Sequence, residues 1–297
     1  MGVDDGSSSQ QLAVVALGGN ALLRRGEPAT AANQLRAAKE AARVLAPVSE
    51  TTRLVITHGN GPQVGLLALK EDAYADLAPY PLDVLDAESG GQIGYVVELE
   101  LDNAIDHQDT VVVLTRDPRH RRGRAFADPT KFIGPVYDEH RARALAAERD
   151  WTVKPDGQHW RRVVPSPDPK EIIQLGAIRR LVDGGFLVVC AGGGGVPVVS
   201  AAGAQQGVEA VIDKDLASAL LAVGLEADVL ALATDVDAVY IDWGTPDQRA
   251  VARATPDWLR AHSFAGGSMG PKVEAVCRFV ETTGNRAAIG GSRISPR

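Results

Sequence analysis

Three lysines occupy positions where their charge needs an explanation. Lys214 and Lys272 each lie at the start of a predicted helix, where a positive charge opposes the helix dipole. Lys131 lies in an irregular stretch that is rich in charged residues. A lysine that is unfavourable for its own helix is expected where an anion binds, although a solvated surface position is the alternative for each of the three.

Glycine-rich turns follow several of the apolar segments that we predict to be strands. Because glycine has no side chain, backbone N–H groups in such turns can approach an anion closely, and the N-terminus of a following helix adds a positive field. One such turn can simply end a strand, but three strong ones in one chain favour a polyphosphate cradle. None fits G-x-G-x-x-G or G-x-x-x-x-G-K-[ST], so neither a Rossmann dinucleotide site nor a Walker P-loop is predicted. The turns, of which the last is the weakest, are Gly18-Gly19-Asn20, His58-Gly59-Asn60-Gly61-Pro62, Gly192-Gly193-Gly194-Gly195 and Thr234-Asp235-Val236-Asp237.

Lysines and glycine amides in one site predict phosphoryl transfer. This reaction needs positive charge around the moving group and accurate positioning, rather than covalent participation of the protein. Asp213 could orient the lysines or hold a metal ion, or it could cap a helix. His58 could bond to the turn that follows it or take part in catalysis. Tyr240 and Trp243 could flank an adenine ring or pack in the core.

The segments between the turns alternate between strand and helix patterns. This alternation predicts an α/β protein with a mostly parallel sheet, in which the turns meet at the carboxyl edge. The predicted strands are continuous apolar runs, typical of strands that helices cover on both faces. They span residues 12–17, 54–57, 110–114, 186–190, 229–233 and 287–289. The predicted helices span residues 30–45, 62–77, 82–103, 170–183, 213–223 and 269–282.

Residues 116–167 interrupt this alternation with a stretch rich in Arg, Asp, Pro and Gly. The stretch is either a long surface excursion or a small lid over the site, and we favour the lid because long insertions in compact domains are often functional. A hairpin with its turn at residues 155–157 is predicted inside it. We therefore expect a flexible tail at residues 1–11 and one domain at residues 12–297, with 116–167 as a protruding lid subdomain.

The composition narrows the class of protein. The net charge of -7 argues against a nucleic-acid partner, which normally requires a basic face. The two cysteines, Cys190 and Cys277, form no C-x-x-C pair, so we expect neither disulfides nor a zinc site, and a reducing cytoplasm fits. The sequence has no apolar run of about 18 residues and no signal peptide, so we expect a soluble cytoplasmic protein without a membrane partner.

Taken in order along the chain, these motifs resemble those of the carbamate kinase family, a branch of the amino acid kinase superfamily. The resemblance covers about residues 12–290 and is most specific at residues 59–65 and 211–215. The matching segments are VVALGGNA (14–21), THGNGPQVG (57–65), QIGY (92–95), PTK (129–131), WRRVVPSP (160–167), GGGGVP (192–197), GVEAVIDKD (207–215) and GGSMGPK (266–272).

The resemblance implies a three-layer αβα sandwich with a lid, a homodimer, and ATP/ADP with Mg²⁺. It implies a catalytic group made of Lys131, which reaches in from the lid, Lys214 and Lys272 at the nucleotide phosphates, Asp213, which organises these two lysines, and Asn20. It further implies that phosphate and substrate bind at Gly18, Gly19, Gly59, Asn60, Gly61, Gly193 and Gly194. The nucleoside would bind at Thr234, Asp235, Val236, Tyr240 and Met269, and the metal ligands are left open.

We therefore expect reversible, in-line phosphoryl transfer between ATP and the small-molecule substrate carbamate. No general base is needed, because carbamate is already an anion. Carbamoyl phosphate is a high-energy mixed anhydride, so the reaction can run toward ATP synthesis, as in arginine catabolism, and the sequence leaves the direction open. The alternatives are another small-acid or phosphate kinase of the superfamily and a catalytically silent nucleotide-binding or regulatory protein. Family members usually run on past the last predicted strand into a further segment and a final strand, so we expect this chain to lack an edge strand or surface cover.

Overall fold

An eight-stranded sheet forms the centre of the structure, which is a computed structural model. The structure describes residues 10–23, 27–28, 30–73, 78–119, 123–201, 203–264 and 269–296, without the side chains of Asn20, Asp72, Arg119 and Ala201. The strands are β1 (Gln11–Leu17), β2 (Thr52–His58), β3 (Thr110–Val113), β4 (Arg116–Arg119), β5 (Lys131–Tyr137), β6 (Thr152–Asp156), β7 (His159–Val164), β8 (Leu187–Cys190), β9 (Val196–Ala201), β10 (Ala204–Gly207), β11 (Val229–Ala233), β12 (Val239–Ile241), β13 (Arg249–Val251), β14 (Arg253–Ala254), β15 (Arg286–Ile289) and β16 (Ser292–Ile294).

Helices connect most of the strands. The helices are α1 (Gly19–Leu22), α2 (Ala31–Ser49), α3 (Gly61–Ala73), α4 (Leu82–Ala104), α5 (Arg124–Ala127), α6 (Glu139–Arg149), α7 (Leu175–Asp183), α8 (Lys214–Gly224), α9 (Pro256–Arg260) and α10 (Met269–Thr283), with a 3₁₀ turn at Gly192–Gly194. None of the described helices combines the length and the apolar character that crossing a bilayer requires.

The central sheet has the strand order β14-β16-β15-β11-β1-β2-β8-β3. All pairings from β15 to β3 are parallel, whereas β16 is antiparallel to β15. Every strand that the apolar runs predicted lies in this sheet. The expectation of a mostly parallel α/β sheet is therefore confirmed.

Two apolar cores lie on opposite faces of the sheet, because successive side chains of a strand point in opposite directions. In β1, Leu12, Val14 and Ala16 belong to one core, and Ala13 and Leu17 belong to the other. The first core includes buried side chains of α7, α8 and α10, and the second includes those of α2 and α4. The sheet thus lies between two helical layers, which confirms the three-layer sandwich.

Most predicted helices are confirmed to within a few residues, but one begins later than expected. The prediction placed a helix at residues 170–183, whereas α7 begins at Leu175. The backbone N–H of Ile173 donates to Arg116 O at 3.1 Å, and Gln174 Oε1 accepts from Arg116 N at 2.8 Å. Residues 173 and 174 therefore bond to the start of β4, so α7 begins only at Leu175. The last predicted residues of the helix at 62–77, namely 74–77, lie outside the described part.

A small three-stranded sheet, in the order β5-β7-β6, stands apart from the central one. It contains the predicted hairpin: Asp156 pairs with His159, and Gly157 between them has φ of 63°, a value that tight hairpin turns favour. Helix α6 packs against β6 and β7. We name residues 131–164 the flap.

The stretch predicted as a lid is divided between two sheets. Strand β4 does not join the flap but pairs in parallel with β9, in a sheet of order β10-β9-β4. The flap therefore begins later in the chain than residue 116. Residues 120–122 lie outside the described part, as do residues 1–9 of the predicted tail, and β1 already begins at Gln11.

The end of the chain differs from the expectation that an edge strand is missing. Ser292–Ile294 forms β16, which pairs with both β15 and β14. The Ser292 hydroxyl is buried, donates to Val251 O and accepts from Val239 N at 2.7 Å. These bonds tie β16 to the β12–β13 hairpin and extend the sheet beyond the last strand that was predicted.

Candidate functional site

A cavity of about 890 Å³ opens at the carboxyl edge of the parallel strands. Its walls come from the turns after β1, β2 and β11, from β5 of the flap, and from the N-terminal ends of α8 and α10. Because neighbouring parallel strands end at the same edge, turns that are distant in sequence share one opening. The volume is in the range that small-molecule sites occupy.

Backbone hydrogen bonds hold the turns of this edge together. Gly18 N donates to Ala233 O at 3.1 Å, and Gly59 N donates to Leu17 O at 3.0 Å. A Cβ atom at position 18 would lie 2.9 Å from Ala233 O, closer than real side chains approach. Glycine at position 18 therefore lets the turns after β1 and β11 pack directly on one another and leaves bare backbone toward the cavity.

Three lysines and two carboxylates form an ion-pair cluster in the cavity wall. Lys214 Nζ lies 2.6 Å from Asp215 Oδ1, and Lys272 Nζ lies 2.8 Å from Asp215 Oδ2. Lys131 Nζ, which extends from the flap, lies 3.2 Å from Asp213 Oδ2. Three ammonium groups against two carboxylates leave one net positive charge, which suits an anionic ligand.

The structure corrects the role expected for Asp213. We expected this residue to organise Lys214 and Lys272, but Asp215 holds both lysines. Asp213 is instead the N-cap of α8: its Oδ1 accepts from Asp215 N at 3.0 Å and from Leu216 N at 3.3 Å. An N-cap side chain must fold back onto the first N–H groups of its own helix, so it cannot extend toward α10.

Burial and charge act against each other within the cluster. Burial by itself would raise the pKa of Asp215, but Lys214 and Lys272 outweigh it and hold this pKa below its ordinary value. Burial lowers the pKa of the Lys214 ammonium, and the attraction of Asp215 opposes that shift. The carboxylate is thus held ionised by the two lysines whose charge it partly neutralises.

Aromatic side chains form another part of the cavity lining. Tyr240 and Trp243 both line it and pack edge to face, with ring centroids 5.2 Å apart. The Tyr240 hydroxyl donates to Asp237 Oδ1 at 2.8 Å, which fixes the ring. Trp243 is 64% exposed, so its ring is accessible to a ligand rather than buried in the core.

The cavity brings together all the predicted site residues but two. Gly194 is buried against Ile212 and does not line it, and the side chain of Asn20 in α1 lies outside the described part, as do residues 265–268. His58 is buried beneath the cavity wall and does not line the cavity either. The predicted residues that line it are Gly18, Gly19, Gly59, Asn60, Gly61, Lys131, Gly193, Asp213, Lys214, Thr234, Asp235, Val236, Tyr240, Met269 and Lys272.

Asn60 is anchored by two residues of α4 that the sequence analysis did not select. Its Nδ2 donates to Asp86 Oδ1 at 2.5 Å and to Ser89 Oγ at 2.9 Å. Both partners are almost completely buried. Burial raises the pKa of Asp86 to about 7, although the hydrogen bond from Asn60 acts in the opposite direction.

Signals for the missed residues are present in the sequence. Asp86 and Ser89 lie on the buried face of α4 with Leu82, Leu85 and Ile93. A carboxylate on an otherwise apolar helix face is unusual unless a partner is present. For Asp215, the N-cap preference of Asp213 would have left the next carboxylate as the partner of the lysines.

The fold and this site define a member of a known class. Residues 11–291 match the sequence profile of the amino acid kinase family, which covers most of the chain. A likeness of fold alone extends to an isopentenyl phosphate kinase from T. acidophilum, at 16% identity and a TM-score of 0.51.

Closer relatives identify the branch. The chain is 52% identical to a carbamate kinase of Rhizobium meliloti, over 93% of this chain and 87% of the relative. It is also 52% identical to a carbamate kinase of Escherichia coli strain K12, over 95% and 94% of the two chains. The structure of a carbamate kinase from Giardia lamblia bound to AMP-PNP superposes with a TM-score of 0.88 at 36% identity, covering 97% of this chain and 99% of the other. The chain belongs to the carbamate kinases of the amino acid kinase family.

Replacing the shared carboxylate should disrupt the cluster. In Asp215→Asn, Lys214 and Lys272 lose their counter-charge although the side chain keeps its shape. We expect a loss of about 3 kcal/mol of unfolding free energy, the scale of breaking a buried ion pair. We also expect turnover to fall by about 100-fold. Denaturant unfolding and steady-state kinetics measure the two effects.

A matched control for this variant is Asp183→Asn, which removes the carboxylate of the exposed pair with Arg53 at 3.5 Å. An exposed pair contributes less than about 1 kcal/mol, so this variant should behave like the wild type. Equal effects of the two substitutions on stability and turnover would contradict a special role for Asp215.

Stability should depend on pH through His58. Burial lowers the pKa of His58 from 6.5 to about 4. The unfolded chain therefore binds a proton at a higher pH than the folded chain does, and the contribution of His58 is complete above pH 6.5 and is lost as the pH falls toward 4. Between pH 7.5 and pH 5, the unfolding free energy of the wild type should fall relative to that of His58→Gln by about 2 kcal/mol.

Denaturant unfolding of both proteins across this range tests the expectation. The difference between the two proteins should be constant between pH 7.5 and 8.5, where the histidine is neutral in both states, and this interval is the internal control. A difference that stays constant down to pH 5 would show that His58 is not held neutral by burial.

Proposed function

We propose that this chain catalyses reversible phosphoryl transfer between ATP and carbamate, which gives ADP and carbamoyl phosphate. The observation that carries the proposal is the convergence of Lys131, Lys214 and Lys272 with bare glycine turns in one cavity. The relatives at 52% identity over most of the chain are carbamate kinases, which supports the same choice of acceptor.

The cavity suggests how ATP is oriented. The aromatic pair Tyr240 and Trp243, with Met269, offers apolar and aromatic surface for the nucleoside. The same cavity is lined by Lys214 and Lys272 at the beginnings of α8 and α10. Helix N-termini and ammonium groups both attract phosphate, so the triphosphate would lie along this side with its γ-phosphoryl group at the glycine turns.

Lys131 approaches the cluster from the flap, on a different element from the other two lysines. Charge that spreads over the equatorial oxygens of the moving group would therefore be stabilised from more than one direction. We propose that the flap is the lid of this site and that its position controls when Lys131 reaches the phosphoryl group. Arg161 of the flap also lines the cavity, and its Nη1 donates to Asp156 Oδ2 at 3.0 Å.

The reaction requires no general base from the protein. Carbamate carries a negative charge and can attack the γ-phosphorus in line, so catalysis consists of positioning and charge stabilisation. The structure offers no histidine for such a role among the described lining residues, since His58 is buried behind the wall. The high energy of the mixed anhydride makes ATP formation from carbamoyl phosphate the favourable direction, and we propose that the chain serves this direction in arginine catabolism.

Magnesium fits the site as part of the Mg·ATP substrate. Among the described residues no group of three or more His, Cys, Asp or Glu side chains is arranged to hold a metal. All four oxygens of Asp213 and Asp215 are engaged by lysines or backbone N–H groups. Mg²⁺ commonly keeps several waters and binds through substrate phosphates, so it would be held mainly by the nucleotide.

We further propose that the chain forms a homodimer. Apolar side chains are exposed on the outer surfaces of α2 and α4, which pack against each other: Val44 and Val48 on α2, and Tyr95 and Leu99 on α4. Exposed apolar groups concentrated on neighbouring helices suit a protein interface.

The two buried free cysteines are in keeping with a reducing compartment, and we propose a cytoplasmic location.

Incubation with ADP, Mg²⁺ and carbamoyl phosphate should produce ATP, measured by a coupled assay. Lys131→Ala should lower kcat by about 100-fold, the scale of one oriented donor to the transition state, with unchanged thermal unfolding. Lys154→Ala is a matched control, because this lysine also lies in the flap but pairs with exposed Asp128. Turnover with another acyl phosphate but not with carbamoyl phosphate would favour a different small-acid kinase, and nucleotide binding without turnover would favour a silent protein.

The dimer proposal predicts that Tyr95→Lys sediments as a monomer at concentrations where the wild type sediments as a dimer. A charge placed in an apolar interface has to be desolvated, which opposes association. Val136→Lys is the control, because Val136 is equally an exposed apolar residue but belongs to the flap and not to α2 or α4. A monomeric wild type, or a Tyr95→Lys variant that still dimerises, would contradict the assignment of this surface.

A further inference from the structure

The hydrogen bonds of Asn60 determine which end of its amide faces the cavity. Ser89 Oγ lies 2.8 Å from Leu85 O and 3.0 Å from Asp86 O, so its single proton is donated to a backbone carbonyl. Its oxygen can therefore only accept from Asn60. Asp86 Oδ1 is also an acceptor, so the atom of Asn60 between these two partners must be the nitrogen, and both of its N–H groups are used.

The protonation state of Asp86 does not change this orientation. Asp86 Oδ2 is buried and has no hydrogen-bond partner among the described residues. A proton bound by this carboxyl group would therefore reside on Oδ2, and Oδ1 would continue to accept from Asn60. The amide is fixed from α4 at any pH near neutrality.

The remaining atom, Asn60 Oδ1, is left as an acceptor. Asn60 lines the cavity, and no described residue donates a hydrogen bond to its Oδ1. Gly193 closes the other side of the amide: a Cβ atom at this position would lie 2.5 Å from Asn60 Nδ2 and 2.7 Å from Asn60 Oδ1. A phosphate oxygen would be repelled by Oδ1, so phosphate binding in this turn is left to backbone N–H groups.

A carbonyl oxygen that faces a binding cavity suits an N–H donor of the ligand. Among the groups that take part in the proposed reaction, the amino group of carbamate is such a donor, and it is what distinguishes a carbamoyl group from an acetyl group of nearly the same shape. We propose that Asn60 Oδ1 accepts a hydrogen bond from this amino group, and that Asp86 and Ser89 are positioning residues that hold the acceptor toward the substrate. The inference rests on the proposed function and names the residue that selects the acceptor.

The test compares carbamoyl phosphate with acetyl phosphate as phosphoryl donors to ADP. In Asp86→Leu the amide of Asn60 loses its strongest anchor and can turn its N–H groups to the cavity. We expect kcat/KM for carbamoyl phosphate to fall by about 10-fold, the scale of one neutral hydrogen bond, with little change for acetyl phosphate. Where acetyl phosphate turnover is too slow to follow, its inhibition constant against carbamoyl phosphate gives the same comparison.

The conservative variants separate positioning from simple structural support. Asp86→Asn keeps an acceptor for Asn60 Nδ2, and Ser89 still distinguishes the two orientations of the amide, so the preference for carbamoyl phosphate should stay within about 3-fold of the wild type. Adding Ser89→Ala removes that distinction, and the preference should then fall by about 10-fold. Asp86→Leu removes the unpartnered Oδ2 but also the acceptor of Asn60 Nδ2, so thermal unfolding is measured for each variant, and the comparison is made at a temperature where all of them are folded.

Each possible result either supports or overturns the role of Asn60 as the acceptor of the amino group. Equal losses with both phosphoryl donors would reduce Asp86 to a structural role, and an unchanged ratio in Asp86→Leu and in the double variant would remove Asn60 as the acceptor of the amino group. A wild type that does not convert carbamoyl phosphate overturns the proposed function itself, whereas a wild type that converts it with an unchanged ratio in the variants overturns this inference alone.

Discussion

Two ammonium groups share one buried carboxylate in this structure, and the site is organised around that arrangement. Asp215 is 5% exposed, and it contacts Lys214 of its own helix and Lys272 of α10 at 2.6 and 2.8 Å. Without the carboxylate, two positive charges would be held together in a poorly solvated wall. With it, part of the positive charge of the two lysines is offset inside the wall, and an anionic phosphate chain in the cavity would offset the remainder.

The parallel sheet makes this arrangement possible. Turns after β1, β2 and β11 meet at one edge because the strands are adjacent and run in the same direction. Close packing of these turns requires glycine at position 18, and the same absence of side chains exposes backbone N–H groups to a ligand. The glycine turns therefore provide the uncharged N–H donors of the anion site, and helices α8 and α10 provide the charged lysines Lys214 and Lys272.

In the proposed reaction, charge and hydrogen-bond polarity divide the cavity between the two substrates. The lysine cluster and the glycine turns offer positive charge and donors, which suit phosphate. Asn60, anchored through both of its N–H groups by Asp86 and Ser89, offers an acceptor. The buried, partly unpartnered carboxyl group of Asp86 is unfavourable for stability by itself, and its contact with Asn60 gives a functional reason for its presence.

The amino-acid sequence by itself determined most of the elements and the chemistry: apolar runs predicted six of the eight strands of the central sheet, and the glycines and lysines predicted an anion site. Only the tertiary structure decided which groups meet. Lys272 bonds to Asp215 across 57 residues and Lys131 to Asp213 across 82, and Asp86 orients Asn60 across 26. The pairing of β4 with β9 and the addition of β16 are contacts of the same kind. Periodicity and capping rules describe neighbours along the chain, whereas these partners are selected by packing, burial and the direction of each side chain in space.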